Sequence, residues 1–251
     1  MNNMQKDFKK LTDCSQCPLR LRGNHAANTP EEIEFIQDFK REERSVAAGA
    51  AILREHSTDG DIFTLREGWA FRYRTLPDGR RQILNFLLPG DFTGLQAELT
   101  QVMPYGVEAL TPARVCIFRR ENLWTLYQQF PKLGYDLTWL NATEELIVDE
   151  NLLSVGRRTA PERVAMLLLH ISKRAQAIEE PTSEGVYFPI SQQHIADALG
   201  LSLVHTNKTL RRLESMGLHQ IRNNRLKIFR ADILKNLSAY HELPLRRKPL
   251  I

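Results

Sequence analysis

Cysteine is scarce in this chain of 251 residues: only Cys14, Cys17 and Cys116 occur. Three are too few for a disulfide framework and fit buried, reactive or metal-binding thiols better. Nowhere does the sequence approach the roughly 18 consecutive apolar residues that a membrane helix needs. Lys6, Asp7, Lys9 and Lys10 lead into no apolar signal core, so the expected compartment is the cytoplasm. With only 13 Gly and 12 Pro, collagen-like and low-complexity chains are excluded. Histidine is thin where a metalloenzyme would need it: His56 alone of the seven lies in the β-rich region. Nucleophile motifs and Gly-rich nucleotide loops are missing too, so the chain reads as a non-enzyme.

What is present is a globular composition, 42% hydrophobic and 25% charged, with length for one or two domains. The net charge of +4 is unevenly spread. Residues 1–155 carry 18 Lys and Arg against 22 Asp and Glu, whereas residues 156–251 carry 16 against 8. A basic module attached to an acidic one points to a polyanionic partner, nucleic acid first.

Residues 1–30 read as an extended leader carrying the Cys14–Cys17 pair. Glu31–Phe39 reads as a short helix, with Ile33, Ile36 and Phe39 on one face. From Val46 to Phe118 come short β-type runs: 51–53, 62–65, 69–75, 82–88, 105–110 and 113–118. Turn signals separate them, among them Asp59-Gly60, Gly68, Asp78-Gly79 and Pro89-Gly90-Asp91, and Asp78-Gly79 is a hairpin signal. Such spacing predicts a sandwich or small barrel. Past Pro131 the period turns helical to about Leu153. One face holds Leu133, Leu137, Leu140 and Ile147, the residues expected in the seam of the dimerisation helix, and another holds Trp139, Ala142, Leu146 and Leu153. A helix apolar on two sides must bury both, one on the β domain and one on a helix of equal length. Nothing else in the chain matches it, so the expected partner is the same helix of a second copy. Ser154-Val155-Gly156 reads as a hinge, and Thr159 with Glu162 forms a capping box for the next helix.

Residues 192–211 fit a helix-turn-helix. Ala196 is small where two helices would touch, Gly200 supplies the turn, and Ile195, Leu199, Leu201 and Leu210 give the apolar register. On the second helix Val204, Asn207, Lys208 and Arg211 share one face, which suits the major groove. A hairpin follows, 218–222 and 225–229 around Asn223-Asn224, giving a winged helix-turn-helix with Arg222, Arg225 and Lys227 near backbone phosphates.

In that order, the glycine-punctuated β region (Gly49, Gly60, Gly68, Asp78-Gly79, Pro89-Gly90-Asp91, Gly94), the long helix, the capping box and the winged motif resemble the CRP/FNR family of bacterial transcription regulators. The resemblance covers about residues 33–235. It implies an α+β fold: an N-terminal cupin-like β-roll sensor domain, a long dimerisation helix and a C-terminal winged helix-turn-helix. The corresponding boundaries are a Cys-containing leader (1–30), the β-roll (31–131), the dimerisation helix (132–155), the DNA-binding domain (156–235) and a tail (236–251). The implied function is that of a homodimeric, sequence-specific, signal- or redox-responsive regulator. Its partners would be double-stranded DNA with a pseudo-palindromic operator, a second copy and, as a further candidate, RNA polymerase. The resemblance places base reading on Leu203, Val204, Asn207 and Lys208 and phosphate contacts on Ser202 and His205. Most members are acidic where Val204 stands and carry Arg where Lys208 stands, so the usual half-site does not transfer.

Cyclic-nucleotide-binding members carry a Gly-Glu-Leu cassette and then Arg-Ser or Arg-Thr. Here Gly94-Leu95-Gln96 and Tyr105-Gly106-Val107 lack both the Glu and the Arg. An anionic phosphate buried without such a partner costs several kcal/mol, so cyclic AMP is not expected. Iron–sulfur members place three Cys in the leader and one in the late β-roll. Cys14, Cys17 and Cys116 match three, Gly23 stands at the fourth, and His25 is a nearby candidate replacement. Arg20 and Arg22 are expected to favour the thiolate. The cofactor is left open between an iron–sulfur cluster or other metal, a thiol–disulfide switch of Cys14 and Cys17, and none. The alternative functions are a cupin-type metalloenzyme and an effector-independent DNA-binding protein.

Overall fold

A computed structural model describes residues 11–58, 61–96, 101–240 and 247–251. Asp59-Gly60, the first ten leader residues and residues 241–246 of the tail lie outside the described residues. The leader makes a 3-10 turn at Cys14–Gln16 and a short helix α1 (Pro18–Leu21). Helix α2 (Pro30–Phe39) follows, its start set by Thr29 and Glu32 capping each other and by Pro30 at the first position.

Among the described residues, eight strands then build two four-stranded antiparallel sheets. One runs in the order β1 (Lys40–Val46), β8 (Ala113–Phe118), β3 (Ile62–Glu67), β6 (Phe92–Thr93). The other runs β2 (Ala51–Leu53), β7 (Gly106–Ala109), β4 (Ala70–Thr75), β5 (Arg81–Leu87). Phe63, Leu65, Leu87, Val107, Val115 and Ile117 fill the space between them, each at most 1% exposed. Strand β1 escapes a sequence reading because its apolar content is low: it reads Lys-Arg-Glu-Glu-Arg-Ser-Val. It is an edge strand, where charges are common because they block further pairing. Those charges are paired, Lys40 with Glu43 at 3.0 Å, Glu43 with Arg66 at 2.7 Å and Arg44 with Asp61 at 3.1 Å.

A short helix α3 (Leu123–Gln129) turns into the long helix α4 (Pro131–Arg157) of 27 residues, about 40 Å at about 1.5 Å per residue. It runs unbroken through Ser154–Gly156, so the expected hinge is displaced. The break falls at Arg158–Thr159, because Pro161 has no N–H to offer the carbonyl of Arg157. Arg158 secures this corner, donating from Nη1 to Ser154 Oγ at 2.7 Å and from Nε to Ser238 O at 3.0 Å.

Leu133, Leu137 and Leu140 are at most 4% exposed and pack with Phe39, Phe118 and Leu126 of the same chain. Leu133, Leu137 and Leu140 are thereby removed from the expected seam to a second copy, because they are spent on the chain's own β-roll, whereas Ile147 is half-buried. The opposite side carries Tyr135, Leu146, Leu152 and Leu153, 49–71% exposed, with Trp139 half-buried and Ala142 exposed.

Helix α5 (Ala160–Gln176) opens the C-terminal half, with Glu162 accepting from the Thr159 amide at 2.8 Å. Then come β9 (Val186–Tyr187), α6 (Gln192–Leu199), α7 (Leu203–Ser215), β10 (His219–Arg222), β11 (Arg225–Ile228) and α8 (Ala231–Ser238). Residues 247–251 return to the β-roll. Leu250 and Ile251 are buried there, and Thr64 Oγ1 donates to Ile251 O at 2.8 Å.

Candidate nucleic-acid interface

Ser191 begins α6 by accepting from the His194 amide at 3.2 Å. Gly200 ends it at φ +61°, a left-handed conformation that glycine adopts without steric cost and that turns the chain sharply. Ser202 then starts α7 in the same manner, its hydroxyl accepting from the His205 amide at 3.2 Å. Ala196, Ile195, Leu199, Leu210 and Leu213 close the angle between the helices, and Thr206 and Thr209 are buried on the inner side of α7.

The outer side of α7 is open. Leu203, Val204, His205, Lys208, Arg211 and Arg212 are exposed, with Val204 at 79%. Asn207 differs from expectation: it is half-buried and its Oδ1 is sealed from solvent without a partner, so its amide is not fully presented outward. Beside α7 the wing turns at Asn223 and Asn224, both with positive φ near +50°, as a two-residue hairpin of matching twist requires. Arg222 is exposed. Arg225 donates to Gly185 O at 3.1 Å and Lys227 to Ser183 O at 2.8 Å, so both cations are steadied by the loop before β9. That loop approaches so closely that a Cβ on Gly185 would meet Leu226 O at 2.2 Å.

The helix pair is anchored from behind. Arg81 of β5 meets Asp197 at 3.2 Å, Gln82 Nε2 donates to Ala198 O at 2.9 Å, and His194 lies 5.2 Å from the Phe71 ring. All three contacts engage α6, which leaves the cationic face of α7 uncovered by the chain itself.

The leader places Cys14 against Phe39, Phe118 and partly buried Cys116, and Cys17 is near enough that its charge would act on both. Spacing alone could not bring Cys116 there; the register β1–β8–β3 does, setting Cys116 opposite Glu43 and Thr64. Burial pushes the Cys116 thiol up to about 12 and raises Cys14 as well, although Lys40 and Arg20 pull Cys14 down. The expected thiolate activation of Cys14 by Arg20 and Arg22 is therefore overturned by desolvation. Arg22 instead donates to Ile178 O at 3.2 Å, far along the chain. His25 turns elsewhere, its Nδ1 3.2 Å from Leu19 O and its ring against Gly90 beside Lys248. Among the described residues no group of three or more His, Cys, Asp or Glu is placed to hold a metal ion. Cys14 and Cys116, both raised by burial, together with Cys17 make three thiols, and without His25 they do not fit a four-ligand iron–sulfur cluster. His56 lies exposed in a turn.

Between the β-roll and α4 lies a cleft of about 590 Å³ lined by Arg72, Gln96, Tyr127, Asn141 and Glu144 among others. Arg72 supplies a cation that the sequence motif lacked, from β4 rather than from the segment near Tyr105. It is nevertheless held by Glu144 at 3.6 Å and stacked 4.8 Å from the centre of the Tyr105 ring. A cluster that sequence reasoning missed lies nearby: Asp91 is ion-paired to both Arg174 of α5 and Lys248 of the tail. No motif signals it, because its members are far apart in sequence.

Residues 43–130 match the family described as cyclic nucleotide-binding domain, and residues 162–237 match the Crp-like helix-turn-helix domain. The chain is 31% identical over 218 residues to the transcriptional activator protein FnrL of Cereibacter sphaeroides, covering 86% of this chain and 87% of that one. It is 31% identical over 206 residues to the nitrogen fixation regulation protein FixK of Bradyrhizobium diazoefficiens, covering 81% and 84%. The solved structure of FixK2 from Bradyrhizobium japonicum superposes with a TM-score of 0.71 at 28% identity, covering 80% of this chain and 98% of that one. A CRP/FNR-family transcriptional regulator from Thermus thermophilus shares the fold, with a TM-score of 0.63 at 21% identity over 79% and 99% of the two chains. Among the described residues no helix is long and apolar enough to cross a membrane.

Proposed function

The chain belongs to the CRP/FNR family of DNA-binding transcription regulators, and from that premise we propose that it acts in the cytoplasm as a homodimer on a pseudo-palindromic operator. Base reading falls to Leu203, Val204, Asn207, Lys208 and Arg211 at the outer side of α7. Ser202, His205, Arg222, Arg225 and Lys227 hold phosphates. The observation that carries this reading is the uncovered cationic face of α7 beside a cationic wing, while α6 takes up the contacts to the β-roll. The second copy docks on Tyr135, Trp139, Ala142, Leu146 and Leu153 of α4. Their successive spacings of four, three, four and seven residues keep them on one seam of a two-helix contact.

The cleft beside α4 receives the signal, and its charge argues against a cyclic phosphate. Arg72 is already paired with Glu144 at 3.6 Å. A phosphate would have to displace that partner and leave a carboxyl beside the new anion. RNA polymerase is the further partner of the DNA-bound dimer.

The test separates reading from holding. Lys208→Ala should cost roughly 1–3 kcal/mol on the selected operator and relax base preference at one position per half-site. Arg225→Ala should weaken binding to all sequences alike and shallow the salt dependence by about one unit. Identical selected motifs for wild type and Lys208→Ala would overturn direct reading by this face.

A further inference from the structure

The tip of α7 is apolar where the rest of its outer face is cationic. Leu203 is 41% and Val204 79% exposed, one after the other in the first turn. The next outward side chains on that face are Lys208 and Arg211. Single exposed aliphatic residues are ordinary on a surface. Two adjacent ones at the first turn of a helix that enters a groove occupy the place where base edges are met.

The chemistry of that place is restrictive. Val204 has no donor and no acceptor, so it cannot satisfy the amino group of cytosine or adenine, nor the N7 and O6 of guanine. The single apolar group in the major groove is the C5-methyl of thymine. A polar base edge pressed against the isopropyl group would lose its water without gaining a partner, which is unfavourable. A thymine methyl at the same point gains apolar burial. Asn207 does not compete for this role, since its Oδ1 is turned inward and sealed.

We propose that Val204, flanked by Leu203, reads the C5-methyl group of one thymine in each half-site, so that the operator carries thymine at that position. The proposal rests on α7 being the base-reading element, and it names the base that element selects.

Deoxyuridine tests it directly, because it differs from thymidine by that methyl alone. Once the operator has been selected from random DNA, each thymine is replaced singly by deoxyuridine. For the wild-type chain, replacement at one position per half-site should weaken binding about fourfold, the worth of one buried methyl group at about 0.8 kcal/mol. Val204→Ala, which keeps only one methyl group, should distinguish thymine from deoxyuridine there less than the wild type does. Val204→Glu, which offers an acceptor to the cytosine amino group, should shift the selected base at that position from thymine to cytosine. Val204 is mostly exposed, so both variants should melt as the wild type does. Insensitivity of the wild type to deoxyuridine at every thymine would overturn the proposal, as would full sensitivity in Val204→Ala. If no sequence is enriched by selection at all, the DNA-binding reading of α7 fails instead, and the two failures are distinguishable.

Discussion

His170 on α5 is a neutral side chain kept where a charge is not tolerated. Its Nε2 is sealed from solvent without a partner, and burial, reinforced by the neighbouring Arg174 cation, lowers its pKa to about 3. The sign follows from linkage. Between the ordinary value of 6.5 and about 3 the unfolded chain binds a proton that the folded chain refuses. Stability is therefore undiminished above 6.5 and falls by up to about tenfold in the folding equilibrium for each pH unit below it. His25, His194 and His219 are lowered by burial as well and act in the same direction. His170→Gln removes one of these buried imidazoles, so its denaturation midpoint should fall less steeply than wild type between about pH 6 and pH 4. Parallel curves for the two proteins would show that His170 is not a source of acid lability.

At the scale of the element, α4 shows how one amphipathic reading can be right in kind and wrong in face. Two apolar faces are legible along 131–153, and both exist in the structure. Which of them turns inward is decided by Phe39, Phe118 and Leu126, which close over Leu133, Leu137 and Leu140. The two faces should separate cleanly in solution. Leu137→Ala, at a position with no exposure, should cost about 2–5 kcal/mol of stability through the cavity it leaves, with self-association intact. Leu146→Glu, at a position 54% exposed, should leave the fold stable and abolish dimers, since an unpaired carboxylate is costly in an apolar seam. Sedimentation and thermal melting of both variants check this, and a dimeric Leu146→Glu would remove the seam from this face.

At the scale of the whole molecule, the β-roll and helix-turn-helix halves meet through charge as well as packing. Asp91 at the end of the β4–β5 region is buried and accepts from the Leu88 amide at 2.6 Å, from Arg174 of α5 and from Lys248 of the returning tail. Burial alone would raise its carboxyl, but these two cations hold it below the ordinary value. Its contribution is present at neutral pH and is lost only as pH falls through that lowered value. Asp91→Asn leaves two cations short of their counter-charge, a loss of about 3–5 kcal/mol for a broken buried pair. Calorimetry should then show the single transition broaden or split as the halves uncouple, whereas an unchanged transition would place the coupling in the Arg81–Asp197 contact instead.

The helix-turn-helix, its wing and the hairpin at Asp78-Gly79 were legible because their causes are local. Ser191 and Ser202 cap the first turns beside them, Gly200 and the Asn223-Asn224 pair take left-handed conformations where they stand, and the apolar period lies within single helices. The sequence alone also determined the α+β class and the basic C-terminal half. Tertiary structure decided what depends on partners distant in the chain. It made the charged segment 40–46 an edge strand, which only its cross-strand and ion-pair partners reveal. It set Cys14 and Cys17 beside Cys116 while turning His25 toward Gly90, and it raised the buried thiols that nearby arginines alone would have lowered. It put Arg72 into the cleft and Asp91 between Arg174 and Lys248. Burial and long-range charge are properties of the assembled chain, and no spacing along it records them.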